Sequence, residues 1–225
     1  MKSFIKYQLL SFFYSLQWIA PVVLYTCWIF TQYYYQGLPI SESFSISALF
    51  LFPTMVWISM KLFSLEQGSE KWMLLSYARN KQVFLYGKMI VIVLSGLCLM
   101  AVSLSVPLLL RTFTEPLTIE HIGSFLSSHL LFLFFGLWVG GLFSMTNLAG
   151  KKYSWVAAAF LTCTSIVGES VMETLPPSLA WLIYLLPPVS CVGAGVTGNM
   201  WAFVYVGLSL FLLVVLFLRR ERTGV

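Results

Sequence analysis

SLEQGSEKWMLLSYARNKQVFLYGK, residues 64–88, interrupts a chain that is otherwise close to continuous apolar sequence. Lys71, Arg79, Lys81 and Lys88 lie within it and Lys61 just before it, so this short region holds five of the thirteen lysines and arginines. Aromatic and aliphatic residues are mixed in with the charges: Trp72, Met73, Leu74, Leu75 and Tyr77. A charged, aromatic-studded island between two apolar runs marks a loop that joins two membrane helices and has work of its own.

The composition fixes the solvent. Of the 225 residues, 59% are hydrophobic and only 9% are charged, and the mean hydropathy is +0.88. Soluble domains carry roughly 25% charged residues, so this chain lacks the polar surface to cover itself in water. Residues 1–225 therefore read as one membrane domain with no separate soluble domain.

Six apolar runs are long enough to count as spans: 16–36, 44–64, 84–110, 122–146, 154–172 and 201–218. A helix needs about 20 apolar residues to cross the hydrocarbon core, and the last two runs lie near the short limit. In lipid only helices and closed barrels satisfy every backbone N–H and C=O. Barrel strands alternate apolar and polar residues, a pattern missing here, so the expected fold is an all-α membrane protein of six transmembrane helices.

Charge sets the orientation. Lysines and arginines concentrate in short cytoplasmic loops. With the N-terminus inside, Lys2, Lys6, Lys61, Lys71, Arg79, Lys81, Lys88, Lys151, Lys152, Arg219, Arg220 and Arg222 are cytoplasmic and only Arg111 is external. Both termini are expected in the cytoplasm, and the protein in the cell membrane among its lipids. The basic balance then reflects topology rather than nucleic-acid binding. The first run is too long for a signal-peptide core, so it is expected to remain as helix 1. Cys27, Cys98, Cys163 and Cys191 form no CxxC pair and read as small apolar packing residues. Lys61, one turn inside helix 2, is expected to snorkel to the headgroups.

Within the island, a helix from about Ser69 to Arg79 brings Trp72, Leu75 and Arg79 together at three- and four-residue spacing. Its apolar side needs a partner. The partner is either the lipid headgroup layer or another protein, for which Trp, Tyr and Arg are the usual anchors.

A second unusual segment is LPPSLAWLIYLLPPVSCVGAG, residues 175–195. Pro176–Pro177 and Pro187–Pro188 bracket Ser178 to Leu186. Nine helical residues cover only about 14 Å, half of the hydrocarbon core. Proline starts helices well and displaces its preceding residue from helical geometry, so a short half-helix is expected. The alternative is a loop on the outer surface.

Glu66 and Gly68, then Leu74–Leu75, Arg79 and Gly87–Lys88 resemble the first cytoplasmic loop of ABC-2-type (type V) transporter permeases, whose pattern is loosely E-x-x-G-x-x-x-x-L-L-x-x-P-x-x-R-x-x-x-x-x-x-G-K. The glycine comes early here, and Ser76, Tyr77 and Ala78 stand where the family proline would be. The resemblance implies a coupling helix that docks on a separate ATPase subunit through Glu66, Gly68, Glu70, Trp72, Leu74, Leu75, Tyr77 and Arg79. It also implies an amphipathic N-terminal helix, for which residues 2–14 are the candidate, although Gln8 and Ser11 fall off its polar side. The proline-bracketed segment resembles the outer re-entrant helices between helices 5 and 6 of that family, with Pro176, Pro177, Pro187 and Pro188 at an outer gate. Helices 2 and 5 line the path in such permeases. Here they supply Phe50, Phe52, Met55, Trp57, Thr162, Thr164 and Ser165. That nearly uncharged lining suits a hydrophobic or amphipathic cargo such as a peptide, toxin, antibiotic or lipid.

The chain contains no GxxxxGK[ST] phosphate loop; Gly87–Lys88 is followed by Met89 rather than a hydroxyl residue. ATP and Mg would therefore be bound by a partner ATPase, and no cofactor is expected in this chain. Six helices are too few to enclose a path in such permeases, so the resemblance also implies a second copy of the chain or a related permease facing it. His121 and His129 are too far apart and too few for a zinc site and read as structural. Glu169 and Glu173 share a helix face near the outer rim, within reach of Arg111, and either contact substrate or sit in water. Gly136 and Gly140, with Gly141 beside them, form a face that permits close helix packing. Two other function classes share the composition: an intramembrane hydrolase using the glutamates and histidines, and a motor-free immunity or sensor protein.

Overall fold

The computed structural model describes residues 2–66, 69–77, 80–113, 115–145, 153–174, 185–193 and 195–223; of residues 2, 69, 169, 173, 174, 195, 196 and 220–223 it describes the backbone alone. The described residues form nine α-helices: α1 Lys2–Tyr14, α2 Ile19–Gln32, α3 Ile40–Phe63, α4 Ser69–Tyr77, α5 Lys81–Leu110, α6 Ile119–Met145, α7 Ser154–Ile166, α8 Gly168–Thr174 and α9 Gly195–Thr223. A short 3-10 turn occupies Val189–Cys191. The only strand-like feature among the described residues is one isolated bridge between Leu38 and Phe113.

Four helices are long and apolar enough to cross a bilayer: α3, α5, α6 and the Thr197–Arg219 part of α9. They correspond to the second, third, fourth and sixth runs. The first run behaves differently. Its helix, α2, has 14 residues, or about 21 Å. It follows α1 after a 76° bend, and the two together qualify as one bent span. Leu16 makes this bend, with a left-handed φ of 57° that side chains other than glycine adopt at a cost. The fifth run is divided between α7 and α8 by a break at Val167, leaving only 13 residues in the apolar helix α7. Four spans are therefore present by length and composition, or five with the bent pair.

Helices α3 and α6 form the most extensive interface. Lipid gives apolar helices no hydrophobic reason to associate, so close backbone approach must supply the attraction. Gly136 and Gly140 provide it. A Cβ at Gly136 would lie 2.4 Å from Met55 Cβ, and one at Gly140 would lie 2.5 Å from Ser59 Cβ. The small-residue face thus packs inside the protomer, against α3. Gly141 faces Leu213 of α9. Phe52 packs on Phe132 and Phe135 of the same seam.

Two polar contacts brace the bundle at different depths. Near the start of α6, His129 Nε2 lies 3.2 Å from Ser47 Oγ of α3 and 3.3 Å from Ser103 Oγ of α5. Its Nδ1 donates to Phe125 O at 2.9 Å, which leaves Nε2 as an acceptor facing the two hydroxyls. The other contact, at Lys88, lies at the opposite, basic end of the bundle. Between these levels α3 contains Pro53.

Helix α1 departs from the amphipathic expectation. Its buried face is Phe4, Gln8 and Phe12, packed mainly along α5. Gln8 thus sits on the inner side, and its amide has no hydrogen-bond partner among the described residues. Phe4 fits against Gly87, where a Cβ would come within 2.6 Å of its ring. The cysteines also differ from the packing role expected of them: Cys27, Cys98 and Cys163 are exposed on their helices.

Gly140→Leu is expected to force α3 and α6 apart and to cost about 1–3 kcal/mol, the usual penalty of overpacking. Gly207→Leu, where a Cβ would meet nothing within 4 Å, is expected to be nearly silent. Unfolding by titration with sodium dodecyl sulfate reads the difference.

Candidate functional site

The island folds around a buried lysine. Asn80 caps α5, its side chain accepting from Gln82 N at 3.0 Å, as N-cap residues do. Two turns later Lys88 points back into the bundle and is 2% exposed. Its ammonium donates to Leu62 O at 3.0 Å and to Phe63 O at 3.4 Å, the terminal carbonyls of α3 that lack helical partners. It forms an ion pair with Glu66 Oε2 and lies 5.0 Å from the Phe84 ring centroid. Glu66 is also buried. Lysine and glutamate are almost never buried this deeply unless paired. The two ends of the loop motif, Glu66 and Lys88, thus meet in space and clamp the end of α3 to the start of α5.

Helix α4 sits on this clamp. Leu75 is buried and Leu74 half-buried against the bundle. Trp72, Met73 and Tyr77 are 50%, 69% and 73% exposed. Tyr7 Oη of α1 donates to Glu70 Oε1 at 3.4 Å. Trp72 and Leu75, expected side by side on this helix, differ in exposure. Leu75 belongs to the packed face because it lies over α5, and the free apolar face is Trp72, Met73 and Tyr77. Gly68 and Arg79 fall outside the described residues.

The expected path residues separate into three groups. Phe52 and Met55 are fully buried in the α3–α6 seam, so they line no path; their side of α3 is taken up by α6. Phe50 and Trp57 lie on another side of α3, in a groove of about 480 Å³ shared with Trp28, Tyr25, Pro53 and Thr54. Trp28 and Phe50 stack with ring centroids 3.6 Å apart. The indole N–H groups of Trp28 and Trp57 have no acceptor among the described residues, although buried tryptophans usually find one. Trp57 also meets Trp155 of α7 edge-on at 5.4 Å. Lys61 stands 5.6 Å from the same Trp155 ring, a cation–π contact beyond the snorkelling expected of it.

The third group is on α7. Ser165 lines a cavity of about 120 Å³ with Gly168, Met172, Pro187, Pro188 and Tyr205. This cavity joins a path residue to half of the expected outer gate. Tyr205 of α9 donates to Leu185 O at 2.8 Å and so holds the segment in place. Thr162 is buried and Thr164 half-buried; both hydroxyls bond back to helix carbonyls, Ala158 O and Phe160 O. Pro176 and Pro177 fall outside the described residues, as do the side chains of Glu169 and Glu173.

The histidines do not come together. His121 Nδ1 contacts Thr118 Oγ1 at 3.0 Å on the surface, while His129 is buried between serines. Among the described residues no group of three His, Cys, Asp or Glu is placed to hold a metal. The sequence reading missed three features: the Lys88–Glu66 contact, the Trp28–Trp57 groove and the serine–histidine brace. Lys88 carried a readable signal, since a lysine seven residues inside an apolar helix needs a local partner.

No protein-family model, no curated protein and no solved structure matches this chain.

Lys88→Met is expected to destabilise the fold by about 3–5 kcal/mol, because it strands Glu66 without its buried partner. Adding Glu66→Leu to it is expected to restore part of the loss. Thermal unfolding of the two single variants and the double variant measures the coupling; strictly additive losses would contradict the pairing.

Proposed function

We propose that this chain is the membrane subunit of an ATP-driven exporter of the ABC-2 type, moving a hydrophobic or amphipathic cargo out of the cell. The observation that carries the reading is α4. A short helix presents Trp72, Met73 and Tyr77 outward while its other side is seated on the bundle beside the Lys88–Glu66 clamp. Exposed aromatic residues on a braced element favour a protein partner. The clamp ties α4 to α3 and α5, so a force on α4 is delivered to two spanning helices at once.

In this reading both termini are cytoplasmic, and the bent α1–α2 pair, the α7–α8 pair and the four long spans together make six crossings. The partner is a separate ATPase that binds ATP and Mg, and a second copy or a related permease completes the path. The aromatic groove around Trp28, Phe50 and Trp57 suits an apolar cargo. The cavity at Ser165, Pro187 and Pro188 lies where such cargo would leave.

An intramembrane hydrolase draws support only from the Ser47–His129–Ser103 contact. That histidine donates from Nδ1 to a backbone carbonyl rather than to a carboxylate, an arrangement that suits helix bracing better than activation of a serine. A motor-free immunity or sensor protein gains no specific observation.

Trp72→Ala and Tyr77→Ala are each expected to weaken co-purification of the ATPase subunit this reading requires by about tenfold, the loss of a typical interface anchor, with membrane insertion unchanged. Leu75→Ala is expected instead to lower thermal stability. Undiminished co-purification of the Trp72→Ala/Tyr77→Ala double variant would sink the reading.

A further inference from the structure

The bend between α1 and α2 leaves a slot beside α5. It has a volume of about 430 Å³ and is lined by Leu9, Phe12, Phe13, Trp18, Leu94 and Leu99 together with Cys98. Its lining is almost wholly apolar, and the one hydroxyl in it, Ser95, already donates to Val91 O at 2.9 Å. Trp18 closes the bent end: its indole donates to Phe13 O at 3.1 Å and meets the Phe13 ring edge-on at 5.2 Å.

A cation lies one helical turn from the lining. Lys6, Leu9 and Phe13 are three and four residues apart and share one stripe of α1. Lys6 is exposed and has no ion-pair partner among the described residues. Its depth follows from its neighbour Phe4, which packs on Gly87 and Phe84 beside Lys88. Lys6 is therefore at the basic end of the bundle. The slot begins on α5 at Leu94, about 9 Å further along the helix axis from Lys88, and runs toward the bundle middle. A positive charge at headgroup level, with an apolar slot leading inward from it, has the polarity of a phospholipid.

We propose that this slot holds an acyl chain of an anionic phospholipid whose headgroup phosphate pairs with Lys6. The anionic lipid is favoured over a zwitterionic one because Lys6 has no internal counter-charge and juxtamembrane cations attract acidic lipids. The inference rests on residence in a bilayer and not on the exporter reading, and it stands whether or not an ATPase binds.

The full chain in nanodiscs of equal phosphatidylglycerol and phosphatidylcholine tests it. Native mass spectrometry is expected to show phosphatidylglycerol retained about fivefold over phosphatidylcholine. Lys6→Glu is expected to abolish the preference, and Cys98→Trp, which fills the slot, to reduce retention of both lipids. The unaltered protein gives a second readout. Cys98 lines this slot and Cys27 lines the α2–α3 groove, and both are exposed. Phosphatidylglycerol is expected to slow alkylation of Cys98 by N-ethylmaleimide relative to Cys27. Equal retention of the two lipids, a preference that survives Lys6→Glu, or equal slowing at both cysteines would overturn the proposal.

Discussion

The bundle depends on how closely two backbones approach. Inside a bilayer an apolar side chain gains nothing by leaving lipid for protein, so helices hold together through dense contact and a few polar bonds. Gly136 and Gly140 remove the side chains that would keep α6 away from α3. The two helices then share a long seam, and their remaining faces become the walls on which α5, α7 and α9 pack. The seam also decides what α3 has left to offer. Phe52 and Met55 are consumed by it, while Phe50 and Trp57 remain available on a different side.

Polar groups supply the register that apolar packing leaves loose. The His129 contact joins α3, α5 and α6 at one level, and the Lys88 contact joins the end of α3 to the start of α5 at another. The Lys88 pair is not placed to add much net stability, since desolvation offsets most of the gain from a buried charge pair. Each contact leaves a costly orphan if the helices slide, so each penalises wrong alignments. The Lys88 contact also positions α4, because the loop that carries Glu66 leads directly into it.

Much of the architecture was legible from composition and run length. The four long spans were found within a few residues, because lipid imposes a single length requirement on every crossing. The reading failed where tertiary geometry decides. Hydropathy at 16–36 cannot show that Leu16 turns left-handed and bends the chain, nor that Val167 divides the fifth run. At the site, the sequence located α4 within two residues, yet grouped Leu75, which is buried, with Trp72, which is half-exposed. Spacing places Trp72 and Leu75 side by side on a helical wheel, and only the position of α5 distinguishes the covered residue from the free one. The meeting of Glu66 with Lys88, 22 residues apart, was likewise beyond any periodicity argument.

Pro53 gives the central helix an uneven stiffness. It has no amide hydrogen, so the carbonyl of Leu49 is without its usual helical donor. On the far side of that gap α3 is fastened through Ser47 to His129; on the near side its last carbonyls are fastened to Lys88. The helix is thus anchored at both extremities and weakest between them. The missing backbone bond lies beside Trp57 and the aromatic groove, on the side of α3 away from the seam with α6, where Phe52 and Met55 are held against Gly136.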